Sequence, residues 1–134
     1  DKGGVDYCYA GVGITGHLAF NEPEEYLNDP NKYKNTVTRV VNLSKETRLM
    51  NSLTTSQGNI NRIPHFAVTI GMSEILNSRR IRVFMNRVWQ WSVLRKLLFG
   101  PITGKFPASL LQNHKEVSFH VVKSVIEIPE LGLK

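Results

Sequence analysis

The stretch Gly11-Val-Gly-Ile-Thr-Gly-His-Leu-Ala-Phe-Asn-Glu-Pro23 is the part of this sequence that decides its fold and its chemistry. It directly follows Val5–Ala10, a short apolar segment that predicts a β-strand. The glycines within it predict a loop whose backbone turns tightly and can approach a ligand closely. Because ligands of open α/β sheets bind beyond the carboxyl ends of the strands, we expect a binding site at this loop.

The remainder of the chain alternates between predicted strands and predicted helices. Further strands are expected at Thr36–Leu43, Phe66–Ile70, Ile81–Met85 and Val117–Val122, with Phe66–Ile70 buried. Helices are expected from the capping residue Ser44 to Asn51, and at Met72–Asn77, Val88–Phe99 and Ala108–Gln112. The polar segment Glu24–Asn35 predicts an exposed loop or irregular helix, and the polar segment Thr54–Arg62 predicts a loop. This order predicts a single α/β domain over residues 1–134, with a largely parallel sheet.

Composition and charge argue against several classes of protein. The 134 residues are 41% hydrophobic and 21% charged, which suits one folded domain with its own core. The formal net charge is +6, but the cations are scattered in pairs such as Arg79-Arg80 and form no basic stripe, so we predict no nucleic-acid partner. No apolar run approaches the roughly 18 residues that a membrane span needs, so we predict no membrane partner.

Cysteine and histidine usage bears on cofactors and on the cell compartment. Cys8 is the only cysteine and lies in the first predicted strand, so we expect a small buried core residue. A single cysteine cannot form an internal disulfide, which suits a reducing, cytoplasmic location. No cluster of histidines or cysteines has the spacing of a zinc site, and neither a metal nor another cofactor is predicted.

His17 and Glu22 place an imidazole and a carboxylate in one short segment of the loop. A nearby carboxylate favours the imidazolium and can fix which ring nitrogen carries the proton. Such a histidine is suited to moving protons near neutral pH. The residues alone leave a second interpretation open, in which His17 is a hydrogen-bonded structural residue of a turn.

Taken as a whole, the Gly11–Pro23 string resembles the signature of the glucosamine-6-phosphate isomerase/deaminase family, G-[IV]-G-x-D-G-H-[IL]-A-F-N-E-P. The related 6-phosphogluconolactonases share the fold but continue differently after the Gly-His pair. Three more segments resemble the family in the family's order: Thr38-Arg-Val-Val-Asn-Leu-Ser44, Ile63-Pro-His-Phe-Ala-Val-Thr-Ile-Gly71 and Pro107-Ala-Ser-Leu-Leu-Gln-Asn-His114. The resemblance implies a three-layer Rossmann-like α/β domain with a mainly parallel sheet, of which this chain is the carboxyl-terminal portion.

The resemblance also implies roles for individual residues. His17 falls on the family's ring-opening histidine, and Glu22 falls on the carboxylate that partners it. Thr15 stands where the family normally has an Asp, so the imidazolium is expected to be supported by Glu22 alone, with Thr15 as an orienting hydroxyl. We assign substrate binding to four loop residues and three residues elsewhere, namely Gly11, Gly13, Gly16, Asn21, Arg48, Arg87 and Gln90.

Two departures from the family concern the phosphate group of the substrate. Gln90 and Leu53 align with a Lys and an Arg that contact phosphate in the deaminases, and Arg87 could supply replacement charge. The loss of two cations predicts weaker phosphate binding. Trp89 or Gln90 could instead shape a pocket for a sugar with little or no phosphate. The simpler alternative is that the tryptophans at 89 and 91 serve packing.

The function that the resemblance implies is aldose–ketose isomerisation and deamination of glucosamine 6-phosphate or a related sugar. The expected partner is therefore a small sugar or sugar phosphate. Two alternatives stay open, a non-catalytic sugar-binding or regulatory relative and a 6-phosphogluconolactonase-like hydrolase. The family's Gly/Ser-rich phosphate loop and acidic general base have no counterpart in this chain, so we expect the chain alone to be inactive. Its first strand is expected to present an unpaired edge through which copies could form a homo-oligomer.

Overall fold

Strands and helices alternate along the chain, as the sequence predicts. The computed structural model describes residues 3–24 and 28–128, and the parts of the predictions that concern 1, 2, 25–27 and 129–134 lie outside the described residues. The strands are β1 (Tyr7–Ala10), β2 (Arg39–Asn42), β3 (Phe66–Thr69), β4 (Arg80–Met85) and β5 (Val117–Val121). The helices are α1 (Pro30–Tyr33), α2 (Lys45–Thr55), α3 (Met72–Leu76), α4 (Gln90–Phe99) and α5 (Lys123–Ile126), with 3₁₀ segments at Ile60–Arg62 and Pro107–Asn113.

The main sheet contains three parallel strands in the order β1-β4-β5. Strand β4 lies in the middle, and its pairing with β1 runs from Tyr7 opposite Arg80 to Ala10 opposite Val83. The connection from β4 to β5 contains α4, as parallel neighbours require a long crossover. The predicted α/β class with a mainly parallel sheet is confirmed. Within the described residues, β1 pairs on one side only and forms an edge of this sheet.

The core lies on one face of the main sheet. Alternate side chains of each strand point to opposite faces, so every second residue of a strand faces the core. Ile81, Val83 and Met85 of β4 are buried there against residues of α3, α4 and the Pro107–Asn113 segment. The opposite face is exposed and carries Tyr9 and Phe84, whose rings stack at a centroid distance of 6.0 Å. Parallel sheets are usually covered on both faces, so the described residues supply one covering layer only.

Strands β2 and β3 correct one expectation. They pair antiparallel with each other in a separate two-stranded sheet, with Val40 opposite Val68. Phe66 is 63% exposed and Val68 is 72% exposed, so the prediction of a buried strand at Phe66–Ile70 is wrong in its burial. A β-branched and aromatic run is equally typical of a strand that is covered on one face only.

The segment around α1 gives a second correction. Polarity predicts an exposed loop or irregular helix over Glu24–Asn35, but Tyr33 in this segment is fully buried in the core. Asp29 caps α1 by accepting a hydrogen bond from the Asn31 amide at 2.8 Å. One aromatic residue therefore anchors a segment whose other described residues are mostly exposed.

Helices α2 and α4 form where the sequence places them. Ser44 caps α2 by accepting a hydrogen bond from the Thr47 amide at 3.1 Å, and the helix continues to Thr55, past the predicted end. Helix α4 ends at Gly100 as predicted, with Val93, Leu94 and Leu97 buried. No helix among residues 3–24 and 28–128 is long and apolar enough to cross a membrane.

Candidate active site

The loop that follows β1 is folded by its own backbone. The Gly13 amide donates to the His17 carbonyl at 3.0 Å, and the Gly16 amide donates to the Gly13 carbonyl at 3.0 Å. Gly16 has φ = +82°, a left-handed conformation that side chains other than glycine rarely adopt. This turn presents the His17 side chain at the carboxyl end of β1, where the α/β architecture predicts a ligand site.

Three side chains meet around the His17 ring. Its Nδ1 lies 2.8 Å from Thr15 Oγ1, 3.3 Å from Thr47 Oγ1 and 3.5 Å from Glu22 Oε2. Thr15 Oγ1 in turn donates to Glu22 Oε2 at 2.8 Å. The His17 side chain is 13% exposed and that of Glu22 is 4% exposed. The structure thus brings together the three residues to which the sequence assigns catalysis, and adds Thr47.

The two hydrogen bonds of Thr15 indicate which nitrogen of the His17 ring carries the proton. A carboxylate can only accept, so the single hydroxyl proton of Thr15 is directed to Glu22. Thr15 Oγ1 must then accept from His17, which places a proton on Nδ1. Among the described residues the polar contacts of the ring are all made by Nδ1, so Nε2 is the nitrogen available to exchange a proton with a ligand.

Glu22 is held as a carboxylate although it is buried. Ser44, the capping residue of α2, donates to Glu22 Oε1 at 3.2 Å, which places the carboxylate near the positive end of that helix. Burial by itself would raise the pKa of Glu22. Hydrogen bonds with His17, Thr47 and Thr15, together with the charge of His17, outweigh burial and lower the pKa from 4.5 to about 2.

The lowered pKa predicts acid sensitivity that depends on Glu22. A carboxyl whose pKa is lower in the folded than in the unfolded state stabilises the fold above its unfolded value. We therefore expect this contribution to be complete above pH 4.5 and to disappear as the pH falls towards about 2. Chemical unfolding measured between those values checks this prediction. The Glu22→Gln variant lacks the titrating group, so the stability gap to the unmodified protein should narrow as the pH falls, and a gap that does not change with pH would contradict the assignment.

Two buried side chains fix the end of the loop that carries Glu22. Asn21 is fully buried; its Nδ2 donates to the carbonyls of Leu18 at 3.0 Å and Ile70 at 2.8 Å. The Tyr33 hydroxyl donates to the Glu22 carbonyl. Burial and the nearby Glu24 carboxylate raise the pKa of Tyr33, which keeps this hydroxyl protonated as a donor. Contacts from α1 and from the residue that follows β3 therefore set the position of Glu22.

A cavity of about 160 Å³ opens beside His17. Its lining combines the loop after β1, one face of α2 and the turn after β4, and consists of Gly13, Ile14, His17, Thr47, Met50, Asn51, Thr54, Arg87 and Trp89. The four α2 residues have the spacing i, i+3, i+4, i+7 of one helical face. That spacing is visible in the sequence, but only the fold shows that this face of α2 lies opposite His17.

Larger hollows lie at the other end of the main sheet. One of about 600 Å³ is lined by residues that precede β4 and β5, among them Ser78, Arg79 and Glu116. Another of about 460 Å³ lies along α3. Ligands of open α/β sheets bind at the carboxyl ends of the strands. A third hollow, of about 410 Å³, does lie at the carboxyl ends of β4 and β5, where Phe84 and His120 line it. The smaller cavity beside His17 is the better candidate site because its lining includes the imidazole that contacts Thr15 and Glu22.

The residues assigned to substrate binding divide into two groups. Gly13 and Arg87 line the cavity with His17, whereas Gly11, Gly16, Asn21, Arg48 and Gln90 do not. Arg48 Nη2 donates to the Ile60 and Ile63 carbonyls at 3.3 and 3.2 Å, which joins α2 to the segment after it. Leu53, at the position of the second phosphate-contacting residue, is 61% exposed. Arg87 is thus the arginine that the structure brings to the cavity.

Gly13 provides a test of the cavity geometry. A Cβ at position 13 would overlap the His17 ring, whereas a Cβ at Gly11 would meet its nearest neighbour, the Phe84 carbonyl, at an ordinary 3.9 Å. We expect Gly13→Ala to displace the ring from Thr15 and to lower the free energy of unfolding by about 1–2 kcal/mol. Gly11→Ala is the matched control in the same loop. Ring NMR signals of His17 that move equally in both variants, or in neither, would show that the ring position does not depend on Gly13.

The chain is similar over most of its length to curated glucosamine-6-phosphate deaminases. It is 33% identical over 127 residues to the one from Halothermothrix orenii, which covers 95% of this chain and 49% of the relative. It is 34% identical over 118 residues to the one from Bacillus pumilus, covering 88% and 45%. The chain spans about half the length of the curated relatives it matches. No model of a protein family matches the chain.

Solved structures show the same relationship. A monomeric glucosamine-6-phosphate deaminase superposes with a TM-score of 0.79 and 32% identity, covering 90% of this chain and 46% of its own. The 6-phosphogluconolactonase from Trypanosoma brucei superposes with a TM-score of 0.65 and 20% identity, covering 90% and 40%, which shows a shared fold. Fold and site therefore define a Rossmann-like α/β domain of the type found in sugar-phosphate deaminases and lactonases. Within that class, the chain is a relative of the glucosamine-6-phosphate isomerase/deaminase family and corresponds to the carboxyl-terminal part of its members.

Proposed function

We propose that this protein acts in amino-sugar phosphate metabolism, on glucosamine 6-phosphate or a closely related sugar. The observation that carries the proposal is the His17–Thr15–Glu22 group at the mouth of a cavity at the carboxyl end of β1. The similarity to curated deaminases over most of the chain supports the same substrate class. A cavity of about 160 Å³ holds part of a hexose phosphate, so the rest of the ligand would extend towards Arg87 and solvent.

The chemistry proposed for His17 is opening of the sugar ring. With Nδ1 protonated, Nε2 accepts the proton of the anomeric hydroxyl while the bond between the ring oxygen and the anomeric carbon breaks. The same nitrogen then returns that proton to the former ring oxygen, so the group ends as it began. Glu22 stabilises the transient imidazolium through Thr15 and by its charge, with 3.5 Å between His17 Nδ1 and Glu22 Oε2.

Later steps of the reaction need groups that, judged by the resemblance, this chain does not contain. Moving a proton between C1 and C2 requires a second acid/base, and the family's general base has no counterpart in the chain. We therefore propose that the chain binds the sugar and assists ring opening, and that isomerisation and ammonia release need further residues. A second candidate function is that of a non-catalytic sugar-binding relative. It is favoured by Thr15, because a neutral hydroxyl stands where the family carries a carboxylate.

Titration of the isotopically labelled chain with glucosamine 6-phosphate tests the proposal. We expect NMR shifts confined to Gly13, His17, Thr47, Arg87 and Trp89. An assay of ammonia release in the presence of the amino-terminal half of a deaminase separates the two candidates: a catalytic chain turns over once that half supplies the missing groups, whereas a non-catalytic relative binds the sugar without turnover. Absence of binding at millimolar sugar phosphate would contradict both.

The proposal extends to the oligomeric state of the protein and to its location in the cell. The side of β1 on which no described strand pairs offers hydrogen-bonding groups through which copies could pair, and we propose homo-oligomer formation at this edge. Sedimentation of the chain over a range of concentrations tests this. We also propose a cytoplasmic location, since Cys8, the one cysteine of these 134 residues, cannot form an internal disulfide, which suits a reducing compartment.

A further inference from the structure

Gln90 is a buried polar residue at the first position of α4 that lies outside the lining of the cavity. Both polar atoms of its side chain are nevertheless hydrogen-bonded. Oε1 accepts from the amides of Asn86 and Arg87, both at 2.9 Å, and Nε2 donates to the Val12 carbonyl at 2.9 Å. One amide group therefore joins the turn after β4 to the loop after β1.

These two segments form two of the walls of the cavity. Val12 directly precedes Gly13, whose amide bonds to the His17 carbonyl, and Arg87 lies with Trp89 on the other wall. The hydrogen bonds of Gln90 therefore set the separation between the wall that carries His17 and the wall that carries Arg87. By resemblance, the deaminases carry at the aligned position a Lys that contacts the phosphate of the substrate. The Gln90 side chain instead points inward, to the Val12 carbonyl.

We infer that Gln90 is a positioning residue, which holds His17 and Arg87 at the distance that fits the ligand. The identity of that ligand rests on the proposed function, whereas the coupling between the two walls does not depend on it. Its amide oxygen also occupies two backbone donors of the turn, the amides of Asn86 and Arg87, so the anionic end of the ligand must be met by the Arg87 side chain instead.

The Gln90→Glu variant can keep the hydrogen bonds to the turn after β4 but loses the one to the loop after β1. A carboxylate can still accept from the two amides and is favourable at a helix amino terminus, but it cannot donate to Val12. Gln112→Glu is the matched control, because Gln112 Nε2 also donates to backbone carbonyls, those of Leu97 at 2.7 Å and Gly100 at 2.9 Å, on the far side of α4.

The first measurement needs no ligand. In Gln90→Glu we expect the amide signal of Gly13 and the ring nitrogen signals of His17 to shift, and in Gln112→Glu we expect both to stay in place. A purely structural role would lower stability in both variants without moving the His17 signals. Unchanged Gly13 and His17 signals in folded Gln90→Glu would overturn the inference.

The second measurement is the dissociation constant for glucosamine 6-phosphate. We expect Gln90→Glu to weaken binding about fivefold, which is the effect of one neutral hydrogen bond, and Gln112→Glu to leave it unchanged. If the unmodified chain binds no sugar phosphate, the proposed function fails, while the ligand-free signals still decide the role of Gln90. If the sugar binds equally to all three proteins, Gln90 does not position the site.

Discussion

Replacement of Asn21 by alanine is expected to lower the free energy of unfolding by about 3 kcal/mol, because it removes three hydrogen bonds made by one buried side chain. Asn21 Nδ2 donates to the carbonyls of Leu18 and Ile70, and its Oδ1 accepts from Arg39 Nη1 at 2.8 Å. The side chain is fully buried. The Leu18 carbonyl still accepts from the backbone amide of residue 21, and the Ile70 carbonyl still accepts from Thr69 Oγ1, so the expected loss is that of the three hydrogen bonds themselves.

Equilibrium denaturation by urea measures this effect. Asn35→Ala is the matched control: Asn35 is exposed, its Nδ2 donates to the Asn31 carbonyl at 3.0 Å, and its loss should change stability by about 0.5 kcal/mol at most. The sequence assigns Asn21 to substrate binding, and the two roles make different predictions. A variant of undiminished stability that has lost affinity for sugar phosphate would favour direct contact with the ligand.

Replacement of Arg87 by alanine is expected to weaken binding of glucosamine 6-phosphate by tenfold or more, roughly the effect of one charge-assisted hydrogen bond. Arg87 is exposed and lines the cavity beside His17, so its guanidinium can meet a phosphate without first losing a buried partner. Binding of glucosamine, which lacks the phosphate, should change little. Calorimetric titration of both sugars gives the comparison.

Arg95→Ala is the control for a general loss of positive charge. Arg95 lies on α4 with its guanidinium 4.6 Å from the centre of the Trp91 ring, and it is not part of the cavity lining. We expect this variant to bind both sugars normally. Equal losses for glucosamine and its phosphate in Arg87→Ala would assign Arg87 to the sugar moiety. Tighter binding of glucosamine than of its phosphate by the unmodified chain would support a site remodelled for an unphosphorylated sugar.

Local sequence signals predicted most of the fold. The alternation of strand and helix patterns gave the α/β class, and the Ser44 cap and Gly100 stop placed the start of α2 and the end of α4. The burial of β3 was mistaken because a run of apolar residues does not say which partner strand it meets. Pairing with β2 in a separate sheet leaves Phe66 and Val68 exposed.

The sequence predicted where the candidate site lies, but not all of the residues that form it. The loop from Gly11 to Pro23 carries His17, Thr15 and Glu22 within eight positions, so its motif was sufficient to bring them to attention. Thr47 is 30 positions from His17, and only the docking of α2 brings its hydroxyl 3.3 Å from the ring. Arg48, its neighbour in sequence, points away to the carbonyls of Ile60 and Ile63.

The sequence by itself therefore determined the lineage, the order of strands and helices, and the pair of groups suited to proton transfer. The tertiary structure decided the direction of each polar side chain, because a buried amide or guanidinium points to whichever backbone groups packing leaves without partners. Thr15 became the link between His17 and Glu22, Asn21 became a support for the loop, and Gln90 turned inward to Val12. The Thr15 contacts are local, within seven positions, whereas the partners Ile70 and Val12 lie 49 and 78 positions from Asn21 and Gln90, where the local sequence cannot specify them.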